Sequence, residues 1–233
     1  MTNHAELISI ADAISTTDPA LACRLRALAA RVRSQERCLD ELGICFCFAP
    51  SLHPAMKHVA PVRKQLGFAT IFNLLGPLCN PAGATWQVLG VGKRELHQTM
   101  ADVLARLGTE HAVVVHGTDG LGEVSLSAPT EVIEVTGSDH RAFTWTPEDF
   151  GVSTASKDSL RITDAAGSAD LIRRILTGEP GPPRDVVVLN AAAALWTAGM
   201  DESPHACAGR AAVAIDSGDA QRLLERWSEQ SRL

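Results

Sequence analysis

Two short apolar runs, WQVLGVG at residues 86–92 and HAVVVHG at 111–117, flank a segment in which Leu96, Met100, Val103, Leu104 and Leu107 recur on one helical face. This order constrains the fold more than any other feature. Parallel neighbouring strands need a long crossover, and a helix is the usual one. The spacing predicts a strand over 86–92, a helix over 94–107 and a parallel second strand over 111–117. Further on, TEVIEV (130–135) and HRAFTW (140–145) alternate, and the turn residues Gly137, Ser138 and Asp139 predict an antiparallel hairpin at one edge of the sheet.

From Asp164 onward the pattern becomes helical: SADLIRRILTG, RDVVVLNAAAALWTAG, a stretch over 206–216 and AQRLLERW. Gly178, Gly199 and Gly218 stand where these helices would stop. The predicted fold class is α/β, a mixed β-sheet with helices on both faces and a small helical piece at the N-terminus. That piece covers 1–42, with a helical pattern over 20–42 closed by Gly43, and the α/β domain covers 43–233. Within the latter, ICFCFAP (44–50) predicts a short buried strand, and a further helix begins near Pro54, where the fixed φ of proline suits a first turn.

Hydrophobic residues make up 45% of the 233 positions and charged ones 21%, enough for a core and far from a disordered composition. A net charge of −6 excludes a surface built chiefly to neutralise a nucleic-acid backbone. The first residues show neither a basic leader nor a long apolar stretch, so no membrane partner is expected. Six cysteines without paired spacing suit reduced thiols and a cytoplasmic location. Cys45 and Cys47 read as small apolar fillers rather than metal ligands.

Several stretches could carry chemistry. His53, Lys57 and Lys64 fall near one helical side, either as a solvated basic face or as an anion-binding one. Arg63 is the best candidate there for a carboxylate, because its planar fork pairs bidentately. In GPLCNP the Gly-Pro and Asn-Pro dipeptides predict a rigid turn, and Asn73 just before it suits either a ligand contact or a local cap. GTDGLGEVS (117–125) leaves the second strand at its carboxyl end, where open α/β sheets keep their ligands. Asp119 and Glu123 there could hold Mg2+, or be two solvated acids in a glycine-rich loop. GVGKRE (90–95) fits neither the Walker nor the dinucleotide spacing. Asn190, an amide within an apolar helix, is expected to make a structural hydrogen bond.

Three segments taken in order, FAPSLHPAMKHVAPVRKQLGFATIFNLLGPLCNPAG, DGLGEVSLSAPTEV and RDVVVLNAAAAL with AAVAIDSG, resemble anthranilate phosphoribosyltransferase. The resemblance implies the α/β domain of the phosphoribosyltransferase and nucleoside phosphorylase type. It also implies transfer of phosphoribose from phosphoribosyl pyrophosphate to anthranilate in tryptophan biosynthesis, with Mg2+ as cofactor and a homodimer as assembly. On it, Arg63, His53 and Met56 become substrate-binding residues and Glu123 a magnesium ligand. Gly122 stands where a second acidic ligand is typical, and Ala69 where arginine often stands. The glycine-rich Gly-Thr-Gly-Gly-Asp loop and the Asn-x-Ser-Thr and Lys-His-Gly-Asn segments have no counterpart in residues 1–52. The chain therefore reads as a C-terminal portion of such an enzyme, without most of the dimerising helical domain, and is expected to be poorly active or inactive alone. A non-catalytic module for aromatic carboxylates, or one half of a split enzyme, is the alternative.

Overall fold

Asp18 turns the chain into the longest helix among the described residues. Its carboxylate accepts a 2.8 Å bond from Leu21 N–H, Pro19 occupies the first turn, and Gly43, at φ 74, closes the far end by donating to Leu39 O. In this computed structural model the described residues are 4–47, 56–68, 70–80 and 83–231; side chains at 4, 6, 24, 31, 56–58, 60, 63, 72 and 73 fall outside the description. Helix α1 (His4–Ala13) packs against α2 (Pro19–Leu42) through Leu7, Ala11, Ala22 and Ala29, with Arg26 and Asp12 paired at 2.7 Å.

Helix α3 (Met56–Leu66) follows, with Pro61 inside it, then a short α4 (Phe72–Leu75) and a 3-10 turn over Gly76–Leu78, so the GPLCNP stretch does begin as a tight turn. The predicted strand at 44–50 is corrected for its described part. Residues 44–47 are irregular, Phe46 is 62% exposed, and its carbonyl accepts a 3.0 Å bond from Gln35 of α2. A strand needs a ladder partner for its backbone groups; here a helix side chain takes that place.

The chain divides into two compact units, residues 1–83 with 223–233, and residues 84–222. The second holds a four-stranded sheet in the order β1 (Trp86–Gly90), β2 (His111–Gly117), β3 (Thr130–Thr136) and β4 (Asp139–Trp145). β1 and β2 are parallel, with Trp86 opposite His111, and the other pairings are antiparallel, so the sheet is mixed as predicted. The valine run of β2 makes it a central strand buried on both faces. β4 is the exposed edge, reached by a two-residue loop whose Gly137 sits at φ 59, the conformation a tight hairpin demands at that position. Asp139 thus belongs to the strand and not to the turn.

Alternation assigns the two faces of the sheet. Val113, Val115 and Val132 join one core cluster with Val188, Leu189, Ala192, Cys207 and Ile215 from α7 (Pro182–Thr197) and α8 (Pro204–Asp216), and with Ile175 of α6 (Ala165–Leu176). Ala112, Val114 and Ile133 face the other way, toward α5 (His97–Arg106). α5 buries His97, Met100, Ala101 and Leu104 and is preceded by a 3-10 turn over Arg94–Leu96; Leu107, placed in the helix from the sequence, lies at its C-cap and is exposed. Gly178, Gly199 and Gly218 all take positive φ one residue beyond the helix caps. The last helix, α9 (Asp219–Gln230), ends within the first unit, where Gln230 donates a 2.7 Å bond to Glu41.

Candidate functional site

β2 delivers the chain at Gly117 into the loop 117–127. The loop turns at once: Gly120 N–H donates to Gly117 O at 2.8 Å and Gly117 N–H to Leu121 O at 2.9 Å. Asp119 folds back over this turn so closely that a Cβ at Gly117 would lie 2.6 Å from its Oδ1. Its carboxylate accepts bonds from Ser125 Oγ (2.9 Å), Ser127 Oγ and Leu121 N–H (3.2 Å), while Lys157 donates to its backbone carbonyl at 3.0 Å. Burial opposes ionisation of Asp119, but the two hydroxyls, the amide and the Lys157 charge outweigh it and hold the carboxyl below the usual carboxylate range.

Glu123, four residues on, is exposed. It borders a groove of about 640 Å³ whose walls are Leu160, Ile162, Leu171, Ile172 and Val187, and among the described lining residues it is the sole charged group. The two acids that looked equivalent in the sequence thus have different fates. Asp119 is spent on holding its own loop and is removed from the candidate metal ligands; Glu123 stands exposed at the groove.

The loop is held down on its other side by the end of β1. Val91 N–H donates to Val115 O at 2.9 Å, and the buried His116 donates from Nδ1 to Val91 O at 2.7 Å. Over this fixed segment passes Gly122, whose carbonyl oxygen lies 1.6 Å from where a Cβ would stand on Gly90. Gly90 of GVGKRE therefore makes room for backbone, not for phosphate. Arg94, the second of the two basic residues that follow, is occupied, since it forms a fork on Glu131 with bonds of 2.7 and 2.8 Å. That fork, through its hydrogen bonds first, holds the Glu131 carboxyl below its ordinary range.

The remaining sequence candidates lie in the first unit. His53 is outside the described residues. Met56 and Arg63 belong to the backbone of α3, with their side chains outside the description, as is that of Asn73. Lys64 is exposed. Cys45 and Cys47, half-buried, have sulfurs 3.9 Å apart. Among the described residues no three His, Cys, Asp or Glu side chains converge on one point. Mg2+ nevertheless suits a single protein carboxylate when phosphate and water oxygens complete its octahedron, so Glu123 fits that ion as one ligand.

Sequence reasoning missed the supports of this loop. Ser125, Ser127 and Lys157 carried no pattern of their own, although two serines spaced by one residue after an acid are a usable signal for a hydroxyl-bonded carboxylate.

Comparison with known proteins bears on the whole arrangement. A family model described as "Glycosyl transferase family, a/b domain" matches residues 20–221. The anthranilate phosphoribosyltransferase of Symbiobacterium thermophilum is 50% identical over 193 residues, which are 83% of this chain and 57% of that protein. Among solved structures, the anthranilate phosphoribosyltransferase of Thermus thermophilus aligns with a TM-score of 0.81 at 36% identity, covering 100% of this chain and 74% of that one. The Saccharomyces cerevisiae enzyme in complex with PRPP and Mg aligns at 0.73 and 28% identity, over 81% of this chain and 54% of that one. The chain spans a little over half the length of the curated relatives it matches.

Proposed function

Because the chain belongs to the glycosyl transferase family and, within it, to the anthranilate phosphoribosyltransferases, we propose that it contributes to the transfer of phosphoribose from phosphoribosyl pyrophosphate to the amine of anthranilate. Arg63 takes the anthranilate carboxylate in a bidentate fork, and His53 and Met56 flank the same acceptor. Glu123 would hold Mg2+ through its carboxylate, and the ion would supply positive charge for the departing diphosphate. In the transfer the amine nitrogen forms its bond to the sugar carbon as the bond from that carbon to the diphosphate oxygen breaks, and the surplus proton leaves the nitrogen. The chain's own residues act by orientation: a clamped carboxylate fixes the ring, and with it the neighbouring amine, against the reacting carbon.

The observation that carries this reading is the open acid at the carboxyl end of a parallel strand, Glu123, in a chain aligned over its full length with an anthranilate phosphoribosyltransferase. Fifty percent identity to enzymes of that name does not favour the non-catalytic alternative. Six free cysteines and a biosynthetic role together suit the cytoplasm.

Calorimetry tests the acceptor side. The 233-residue chain binds anthranilate without added metal, and Arg63→Ala abolishes the heat; equal binding by both proteins would overturn the assignment. The same chain given anthranilate, phosphoribosyl pyrophosphate and Mg2+ consumes anthranilate fluorescence slowly or not at all, because Gly122 and residues 1–52 lack the acid and the glycine-rich segments that such transfer implies. Turnover at the pace of the full-length relatives would show that those segments are dispensable.

A further inference from the structure

The acid given to the metal is held from one side by an amide that arrives from far along the chain. Asn190 lies in the middle of α7, 66 residues from Val124, and its side chain makes three hydrogen bonds. Oδ1 accepts from Val124 N–H at 3.0 Å, and Nδ2 donates to Val124 O at 3.0 Å and to Val186 O, one turn back on its own helix, at 3.0 Å. A primary amide has two donors and two acceptor sites, so both donors and one acceptor are used. The orientation is also fixed: flipping the amide would set its oxygen against two carbonyls and its NH2 against an N–H.

Val124 is thereby gripped by both backbone groups, as it would be by a neighbouring strand, though a helix side chain does the gripping. The residue before it is Glu123. On the far side of Glu123, Gly122 rests on the backbone of Val91 and Gly92. The acid is thus the middle residue of three, with each neighbour fixed by an element distant in sequence, and it borders the groove that Asn190 also lines.

We propose that Asn190 is a positioning residue for Glu123, its amide clamping Val124 so that the backbone carrying the acid is held at the rim of the groove. The inference rests on the assignment of Glu123 as a metal-binding carboxylate. It gives a role to a residue that composition marks only as a polar interruption in VVVLNAAAA, and it explains why the amide rather than an isosteric acid stands there. In Asn190→Asp a carboxylate would face two carbonyl oxygens, so the clamp would be repelled, not merely lost.

Hydrogen exchange and Mn2+ titration test it on the full 233-residue chain, with Ile215→Val as a reference variant of comparable stability loss in the same core. In Asn190→Ala the amides of Gly122–Val124 exchange faster than in the reference, and in Asn190→Asp at least as fast as in Asn190→Ala. Exchange equal to that of the reference would overturn the clamp, and so would Asn190→Asp behaving as wild type. Mn2+, followed by its paramagnetic signal, binds the wild type and the reference alike, is lost in Glu123→Gln, and binds Asn190→Ala up to about 10-fold more weakly, the low end of what removing a group bonded to the ligand itself costs, because Asn190 holds the neighbouring backbone and not the carboxylate. Unchanged Mn2+ affinity in Asn190→Ala would refute the positioning role. Absence of Mn2+ binding in the wild type would instead sink the metal assignment of Glu123, while the exchange data still decide whether Asn190 holds the loop.

Discussion

Gly90→Ala is the sharpest test of how the loop is seated. A methyl group at this position would have its carbon 1.6 Å from Gly122 O and 2.5 Å from Gly122 C, whereas ordinary carbon–oxygen contact needs roughly twice the shorter distance. One of the two segments must therefore move by more than an ångström. The β1 side cannot give easily, since Val91 is tied to Val115 O and to His116. The loop side is tied by Asn190 to Val124 and by the serines to Asp119. Overpacking of this kind costs about 1–3 kcal/mol or more when backbone must shift. For a chain of this size each kcal/mol lowers the melting temperature by roughly 2–4 °C, so the expected drop is about 2–12 °C. Gly92→Ala, two residues on, is the built-in control, because its nearest contact would be an ordinary 3.7 Å to Gly120 O. Thermal unfolding followed by far-ultraviolet circular dichroism reads both variants. If Gly90→Ala melts with the wild type, or if the two alanine variants fall equally, the close approach of the loop to the end of β1 is wrong.

Two further outcomes follow from burial and charge. Leu189, fully buried against β2, should lose about 2–5 kcal/mol on Leu189→Ala in urea unfolding, while the half-exposed Met200 loses little on Met200→Ala; equal effects would mean that the α7 face is not the core. Asp119 titrates below the ordinary carboxylate range, so its contribution to stability is complete above the unfolded-state pKa of about 3.9 and is lost as pH falls through the lower folded value. Ser127→Ala removes one of the hydroxyls responsible, and its deficit in melting temperature should be clear at neutral pH and shrink below about pH 4. A deficit constant from about pH 3 to about pH 7 would refute the carboxylate as the cause.

Much of the second unit was legible because its information is local. The valines of 111–117, the helical spacing before them and the alternation in 130–145 each report on neighbours a few residues away, so the parallel pair and the edge hairpin were readable, while the pairing of the hairpin with β2 came from the structure. The stop glycines at 178, 199 and 218 were equally readable, since a left-handed residue after a helix is a local demand. The run at 44–47 failed for the complementary reason: apolar, aromatic residues favour a strand only where another strand supplies hydrogen bonds, and Gln35 supplied one instead.

By itself the sequence determined the α/β class, the parallel pair, the edge hairpin and the family, because periodicity and long contiguous motifs survive without coordinates. Only the tertiary structure decided which of two acids in one loop is available. Asp119 and Glu123 differ by what meets them, two serines and a lysine in one case and an open groove in the other. Likewise Gly90 owes its lack of a side chain to a carbonyl 32 residues on, and Asn190 its amide to a backbone 66 residues back. Such pairings are fixed by the packing of distant segments, and no local pattern encodes them.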